Sequence, residues 1–467
     1  MISYAIMTNW LPDPALLTRP AYLSLAEHIA RAIEAGTLAA GARLPPHRRL
    51  ADDLGLSVQT VSRAYEDLIR RDLIAGEIGR GTFVRQKGGE ARQPYLPERS
   101  GELIDLSILK PVCDTLHLDK IRAAFTWLGE SLPASSALSF RPNMVMPRHR
   151  MIGADWLAEV GIEVPAHNIT ITNGASSAIT AALMGVAPVG STIAAEALTH
   201  HTLMPLCGYL GLHLEGVAMD QHGMLPAALD EAARRTGLRA VFLQPNVINP
   251  LGVQMPADRR AELVAVARRH DLAIIENDIL ARMVEDAPPT LAALAPERVL
   301  YIHGFTKITV PALRVAYLAA PDRYATAVAN RHLVSSWMAT PPIVEILSHW
   351  LQDGTAAELI AWQRLRLAER HELAQRVLPG RVPGAHPQAL HLWLRLPEGR
   401  AEEEFVAEAR LRGVAVAAGS AFRATDRGKR DSVRIALGST DLEELRQGLS
   451  IVGSMLEEGA EAPLPGI

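Results

Sequence analysis

The stretch RVLYIHGFTKITVPALR, residues 298–314, decides the fold. An apolar run ends at Phe305, a lysine follows at Lys307, and Arg314 opens the next apolar run, RVAYLAA. Upstream lie two more apolar runs, RAVFLQP (239–245) and LAIIEND (272–278). The segment between them, ADRRAELVAVARRH (257–270), turns Leu263, Val266 and Ala267 to one side. Strands this continuously apolar, alternating with amphipathic helices, predict a mainly parallel sheet covered on both faces. Ligands of such sheets bind beyond the carboxyl ends of the strands. The polar residues stand there: Asp278 ends LAIIEND, Asn249 follows RAVFLQP, Lys307 follows RVLYIHGF, and Gly174-Ala175-Ser176 follows NITITN and opens the helix SSAITAALMG.

That set has a chemical logic. A glycine-opened helix N-terminus offers free N–H groups to a phosphate, and Arg314 can neutralise it. A lysine in apolar surroundings has a lowered pKa and can form a Schiff base with an aldehyde. A carboxylate at a strand end can pair with a protonated pyridine nitrogen. Phosphate, aldehyde and pyridinium together describe pyridoxal 5′-phosphate. Taken singly, a lysine after a strand is an ordinary loop residue and a strand-end aspartate an ordinary cap; the joint order carries the reading.

The first ninety residues follow another pattern. PAYLSLAEHIARAIEAG (20–36) places Leu25, Ile29, Ala32 and Ile33 on one helical face. HRRLADDLG follows Pro45 and Pro46, Gly55 makes a turn, and Ser57 caps the helix VQTVSRAYEDLIRRD. In that helix Val61, Ala64, Tyr65 and Leu68 face one way, and Gln59, Arg63 and Arg70 the other, the arrangement a recognition helix needs to enter a major groove. LIAGEIGRGTFVRQ then reads as a β-hairpin carrying a cation at its tip, Arg80 beside Gly81, within reach of phosphate or minor groove. Between residues 19 and 88 there are 11 Lys/Arg against 8 Asp/Glu, in a chain of net charge −4. A mildly basic head on an acidic body agrees with nucleic-acid binding.

The order of this head, with GARLPPHRRLADDLGLSVQTVSRAYEDL followed by GRGTFV, resembles the winged-helix domain of the GntR family of bacterial regulators. By that resemblance Arg48, Gln59, Thr60, Arg63, Arg80 and Gly81 contact double-stranded operator DNA. Many relatives place Arg after the capping serine, where this chain has Val58. The body resembles the fold-type I aminotransferases over about 105–460, through NGASSAI, QPNVINPLG, IIENDI, GFTKITVPALR and DSVRIAL. The resemblance implies that Lys307 is the Schiff-base lysine, Asp278 the pyridinium partner and Asn249 a donor to the ring's phenolic oxygen. It assigns the phosphate to Gly174, Ala175, Ser176, Thr306 and Arg314, and a substrate or effector carboxylate to Arg434. Three positions depart from the family's pattern: Ile279 and Leu280 replace a Tyr after the aspartate, His200 in EALTHH replaces the aromatic that stacks on the ring, and Gly304 replaces a phosphate-binding Ser.

Head, linker and body together resemble the MocR subfamily of GntR regulators. The expected organisation is an N-terminal arm (1–19), a winged helix-turn-helix of α+β class (20–86), a linker (87–104), an α/β aminotransferase-like large domain (105–325), and connecting helices with a smaller C-terminal α+β domain (326–467). The expected function is a DNA-binding transcriptional regulator that holds pyridoxal phosphate and senses an amine or amino acid, as a cytoplasmic homodimer. The other readings are a working aminotransferase with an extra domain, and a regulator that no longer binds the cofactor.

Composition bounds the rest. The 467 residues leave room for about three folding units. With 48% hydrophobic and 21% charged residues the chain is globular rather than disordered. Cys113 and Cys207 make no disulfide framework, and no Cys/His cluster has zinc spacing. The uncharged stretch 164–195 is broken by Pro165, Gly174, Pro188 and Gly190, so a membrane span is not expected. His200–His201 lacks a third metal ligand at suitable spacing. Met255, Met283, Met338 and His391 read as packing residues, and Cys207 as inert.

Overall fold

The computed structural model describes residues 10–12, 17–34, 37–39, 42–70, 73–77, 81–84, 103–382, 384–424 and 431–458. The chain divides into two compact units, Met1–Glu98 and Arg99–Ile467.

The first unit runs α1 (Ala21–Glu34), β1 (Arg43–Leu44), α2 (His47–Leu54), α3 (Val58–Arg70), β2 (Ile74–Glu77) and β3 (Gly81–Val84). Leu25, Ile29 and Ile33 of α1 are buried against Val61, Ala64, Tyr65 and Leu68 of α3, the faces their spacing predicts. Gly55 ends α2 at φ 65°, a left-handed conformation that glycine enters without strain, and so turns the chain into α3. Ser57 Oγ accepts from the Thr60 N–H at 3.1 Å, capping α3. Tyr65 donates its buried hydroxyl to Pro45 O at 2.8 Å, and His47 bonds Ser62 at 3.0 Å, tying α2 to α3. β3 lies antiparallel between β1 and β2, with Glu77 opposite Gly81, which gives the wing.

The second unit is built on a seven-stranded sheet. In chain order its strands are β5 (Ile169–Thr172), β6 (Thr192–Glu196), β7 (His213–Val217), β10 (Ala240–Leu243), β11 (Ala273–Asn277), β12 (Val299–Gly304) and β13 (Ala316–Ala319), after β4 (Ile104–Asp105) and with the short pair β8 (Met219–Asp220) and β9 (Gly223–Met224) between β7 and β10. Their spatial order is β5-β13-β12-β11-β10-β6-β7. All run parallel except β13, antiparallel to both its neighbours. Side chains alternate between two cores: Val241, Leu243, Val299, Tyr301 and Phe305 enter one, and Phe242, Ala240, Leu300 and Ile302 the other. Each buried large aliphatic side chain contributes about 1.5–3 kcal/mol relative to exposure.

The smaller lobe carries β14 (His391–Arg395), β15 (Val414–Ala415), β16 (Ala417–Ala418) and β17 (Ser432–Ala436). The order β14-β17-β16 is antiparallel, while β4, far upstream in the chain, pairs parallel with β15. The segment after β4 runs as a strap along this lobe: Leu106 N–H donates to Ala415 O, and Leu106 O accepts from Ala436 N–H. Gly448, in the helix Leu442–Glu457, lets the strap approach: a Cβ there would lie 2.9 Å from Leu106 Cδ1 and 3.1 Å from Ile104 Cγ2. Among the described residues no helix is long and apolar enough to cross a membrane.

Candidate functional site

Gly174, Asn249, Asp278 and Lys307 stand beyond the carboxyl ends of β5, β10, β11 and β12, His200 follows β6, Arg314 precedes β13 and Arg434 lies on β17. The helix Ala175–Val186 begins directly after β5, and its N-cap, Gly174, has φ 81°. A Cβ at Gly174 would lie 3.2 Å from Arg314 Nη2, so glycine is what lets the guanidinium rest across the helix N-terminus. Arg314 itself is held at φ 46°, and Val247 in the loop after β10 at φ 53°. Positive φ at a non-glycine residue stores strain, and such residues cluster at functional sites. Ser176 is exposed, and Ala175 and Thr306 are half-buried.

Two of the departures from the family pattern adjoin each other. A Cβ at Gly304 would lie 3.3 Å from Ile279 Cγ2 and 3.5 Å from Ala175 Cβ. A side chain at 304 would therefore crowd Ile279, which would have to give by a few tenths of an ångström.

Lys307 is half-buried and donates from Nζ to Leu109 O, on the strap. Burial, then the charges of Arg434, Arg314 and Lys110, push its ammonium down to about 8. Arg434, on β17, is 3% exposed. It donates from Nη1 to Asn249 Oδ1 at 3.1 Å and from Nη2 to Ser107 O, also on the strap, at 2.7 Å; its Nε has no partner among the described residues. The Arg434 guanidinium lies 4.5 Å from the Phe422 ring centroid, and burial lowers its pKa to about 10. Because arginine only donates, the Asn249 amide must present its oxygen to Arg434, which leaves Nδ2 as the end free to donate.

His200 stacks on His201 with ring centroids 4.8 Å apart, and its Nδ1 bonds Thr202 Oγ1 at 2.8 Å. Burial, then His201, Arg434 and Lys307, lower its pKa to about 3, so the ring is neutral at pH 7. No cluster able to hold a metal ion occurs among the described residues.

Asp278 follows β11 and is fully buried. Its Oδ2 accepts from Asn246 Nδ2 at 2.8 Å and from the Tyr301 hydroxyl at 2.9 Å; its Oδ1 has no partner among the described residues. Burial raises its pKa to about 6, against the lowering effects of Tyr301, Arg260, Asn246 and the Ala281 N–H. Glu276, on β11, is pushed to about 8, first by burial and then by the charge of Asp278, although both its oxygens accept backbone N–H groups of Leu291 and Ala292.

The structure thus groups Gly174, Ala175, Gly304 and Arg314 at one helix N-terminus, and brings Lys307, Asn249, Arg434 and His200 near one another. Asp278 adjoins the first group through Ile279. The motif reading passed over Asn246, Tyr301, Arg260 and the strap carbonyls of Ser107 and Leu109, and weighed His201 only as a metal ligand. Only Asn246, a polar residue in a strand-end loop, carried a signal for it.

In the first unit Arg48, Gln59 and Arg63 are exposed, and Thr60 is half-buried with its backbone in the Ser57 cap. Gln59 and Arg63 share one face of α3 by their spacing. Gly81 begins β3 at the wing. Arg80 and the side chain of Arg70 lie outside the described residues.

A winged helix-turn-helix in one unit and a strand-edge site of the transferase kind in the other define a two-part architecture. Residues 149–452 match the model of the aminotransferase class I and II family, to which the chain belongs, and residues 21–84 match that of the bacterial regulatory proteins of the gntR family; the combination is the MocR architecture. Relatives share it along the chain. YdeF of Bacillus subtilis, named an uncharacterized HTH-type transcriptional regulator, is 25% identical over 464 residues, covering 96% of this chain and 97% of its own. PdxR of Corynebacterium glutamicum, named an HTH-type pyridoxine biosynthesis transcriptional regulator, is 28% identical over 358 residues, covering 74% and 76%. Among solved structures, the kynurenine aminotransferase of Pyrococcus horikoshii superposes with TM-score 0.70 at 21% identity, over 78% of this chain and 93% of that one.

The residues present fit pyridoxal 5′-phosphate. The open Oδ1 of Asp278 is an acceptor for a protonated ring nitrogen, the cradle at Gly174 and Arg314 suits a phosphate, and Lys307 is an amine of lowered basicity beside them.

Proposed function

We propose that the protein is a DNA-binding transcriptional regulator whose aminotransferase-like unit holds pyridoxal 5′-phosphate on Lys307 and senses an amine or amino acid without turning it over. The observation that carries this reading is the presence, in one chain, of Gln59 and Arg63 exposed on α3 with Arg48 exposed on α2, and of Lys307, Asp278 and Arg434 in the second unit. Gly174, Ala175, Ser176, Thr306 and Arg314 hold the phosphate, Asn249 Nδ2 serves the phenolic oxygen, and His200 lies against the ring.

The bound cofactor supplies an aldehyde carbon with which an amine can condense. The chain's own residues do the rest. With a pKa near 8, Lys307 Nζ gives up its proton readily near neutral pH. Arg434 has both Nη atoms engaged and Nε open, so an incoming carboxylate takes Nε and competes with Ser107 O for Nη2. Ser107 and Leu109 sit on the strap, which continues N-terminally toward the segment that leads to the winged helix. Effector binding is therefore read as a change in what the strap carbonyls are bonded to, a two-state change that differential contacts can bias.

Exposed Phe140, stacked on Trp337, together with Leu138, Met144, Met151 and Val334, gives an apolar surface that supports a homodimer. The cytoplasm is the compartment in which such a regulator works.

Adding candidate amino acids to purified protein tests the reading. The expected result is a stoichiometric change in visible absorbance, with no product accumulating and with operator affinity altered. Steady turnover would favour the aminotransferase; a protein with no cofactor band that takes up no added pyridoxal phosphate would favour a regulator without cofactor.

For the DNA face, Arg63→Ala is expected to cost about 1–3 kcal/mol if the side chain reads a base, and Arg48→Ala to reduce the salt slope by about one if it holds a phosphate. Fluorescence anisotropy at several salt concentrations measures both. Unchanged binding in both variants would remove the DNA-contact role of α2 and α3.

A further inference from the structure

Behind Asp278 stands a buried relay. Arg260, in the helix Ala257–Arg269, is 0% exposed. Its guanidinium donates to the carbonyls of Met255, Pro288, Pro289 and Pro245 and to Asn246 Oδ1, the last at 2.6 Å. Every one of these acceptors is neutral. A buried cation without a counter-charge is costly, and the acids whose charge acts on Arg260 are Glu276 and Asp278. Glu276 spends both its oxygens on the backbone N–H groups of Leu291 and Ala292, whereas Asp278 is joined to Arg260 through one amide, Asn246.

The amide's orientation is forced. Arg260 can only donate, so Asn246 turns Oδ1 toward it and Nδ2 toward Asp278. From the other side comes Tyr301, placed on β12 opposite Glu276 of β11, so that its hydroxyl reaches past the strand end to the same carboxylate oxygen. Two donors converge on Oδ2, and Oδ1 is the oxygen left for a ligand.

We propose that Asn246 and Tyr301 are positioning residues that present Asp278 to the ring nitrogen of pyridoxal phosphate, with Arg260 as the fixed counter-charge behind Asn246. The proposal rests on the reading of Asp278 as the pyridinium partner. Hydrogen bonds to the charged form keep a buried carboxylate ionised, and fixing one oxygen sets the direction in which the other accepts. The burial-raised pKa of Asp278, near 6, is consistent with a carboxylate that needs these donors to stay charged at neutral pH.

The test uses the full-length chain and two ligands: pyridoxal 5′-phosphate, and its analogue with CH in place of the ring nitrogen. Tyr301→Phe removes only a hydroxyl, and Asn246→Ser removes the amide; thermal unfolding checks that each variant folds. Each substitution is expected to weaken pyridoxal phosphate about tenfold, the scale of a lost hydrogen bond to a charged group, and to change affinity for the analogue less than about twofold. Equal affinities of wild type and both variants for pyridoxal phosphate would overturn the proposal. So would an equal loss for the two ligands, which would make the relay a purely structural brace. A wild type that binds pyridoxal phosphate while the variants are unaffected overturns only the positioning roles; a wild type that does not bind it overturns the cofactor reading and this one with it.

Discussion

Lys307→Ala is expected to abolish the visible absorbance of bound pyridoxal phosphate and any cofactor adduct fixed by borohydride, while the thermal midpoint stays close to that of the wild type. Lys307 is the amine that lies among the charges of Arg434 and Arg314 with its basicity lowered to about 8. Holding a half-buried ammonium has a desolvation cost, so its removal does not undermine the core. The bond it gives up is one donation to the Leu109 carbonyl. Reduction with borohydride followed by peptide mapping reads the result directly. An adduct surviving in the alanine variant would place the attachment at another lysine and would overturn the assignment.

The second large effect belongs to Asp278→Asn. Breaking one side of a buried charge pair costs about 3–5 kcal/mol, which corresponds to at least a hundredfold weaker binding of pyridoxal phosphate. The geometry at Oδ2 sharpens the expectation. Asn246 and Tyr301 both donate there, so an asparagine at 278 has to turn its oxygen to them and its NH2 toward the ring. A donor then faces a ring nitrogen that, protonated, also donates, and the nitrogen must bind unprotonated. Titration by absorbance gives both the dissociation constant and the shift of the band. Equal dissociation constants for wild type and variant would mean that phosphate contacts and the lysine carry the affinity and that Asp278 is a strand-end cap.

Much of the architecture was legible because it is periodic. The faces of α1 and α3, and the apolar runs that became β10, β11 and β12, follow from spacing alone. The one antiparallel strand of the seven-stranded sheet, β13, was not, since RVAYLAA is as apolar as its neighbours and direction is set by where the connection after Lys307 emerges. The end-of-strand residues drew notice because sheets of this class bind ligands there. What surrounds them did not. Tyr301 sits in an apolar run and reads as core; its hydroxyl matters only because β12 lies beside β11 in the register that pairs it with Glu276. Arg260 looks like one more charge on a helix whose neighbours are solvent-exposed, yet it is fully buried by carbonyls from two proline-rich loops. Contacts of this kind join residues far apart in the chain, and no local pattern encodes them.

The strap gives a different view of where the sensing unit begins. Its first regular helix starts at Thr115, and a chain cut just before that point would keep every helix and all seven strands of the large sheet. It would lose the carbonyl partners of both Lys307 and Arg434, the strand that completes β15, and the Leu106 side chain that packs at Gly448. The partners of both cations are thus supplied by the very piece of chain that an excision by secondary structure would discard, and the smallest portion that keeps them together with β4 starts no later than Leu103.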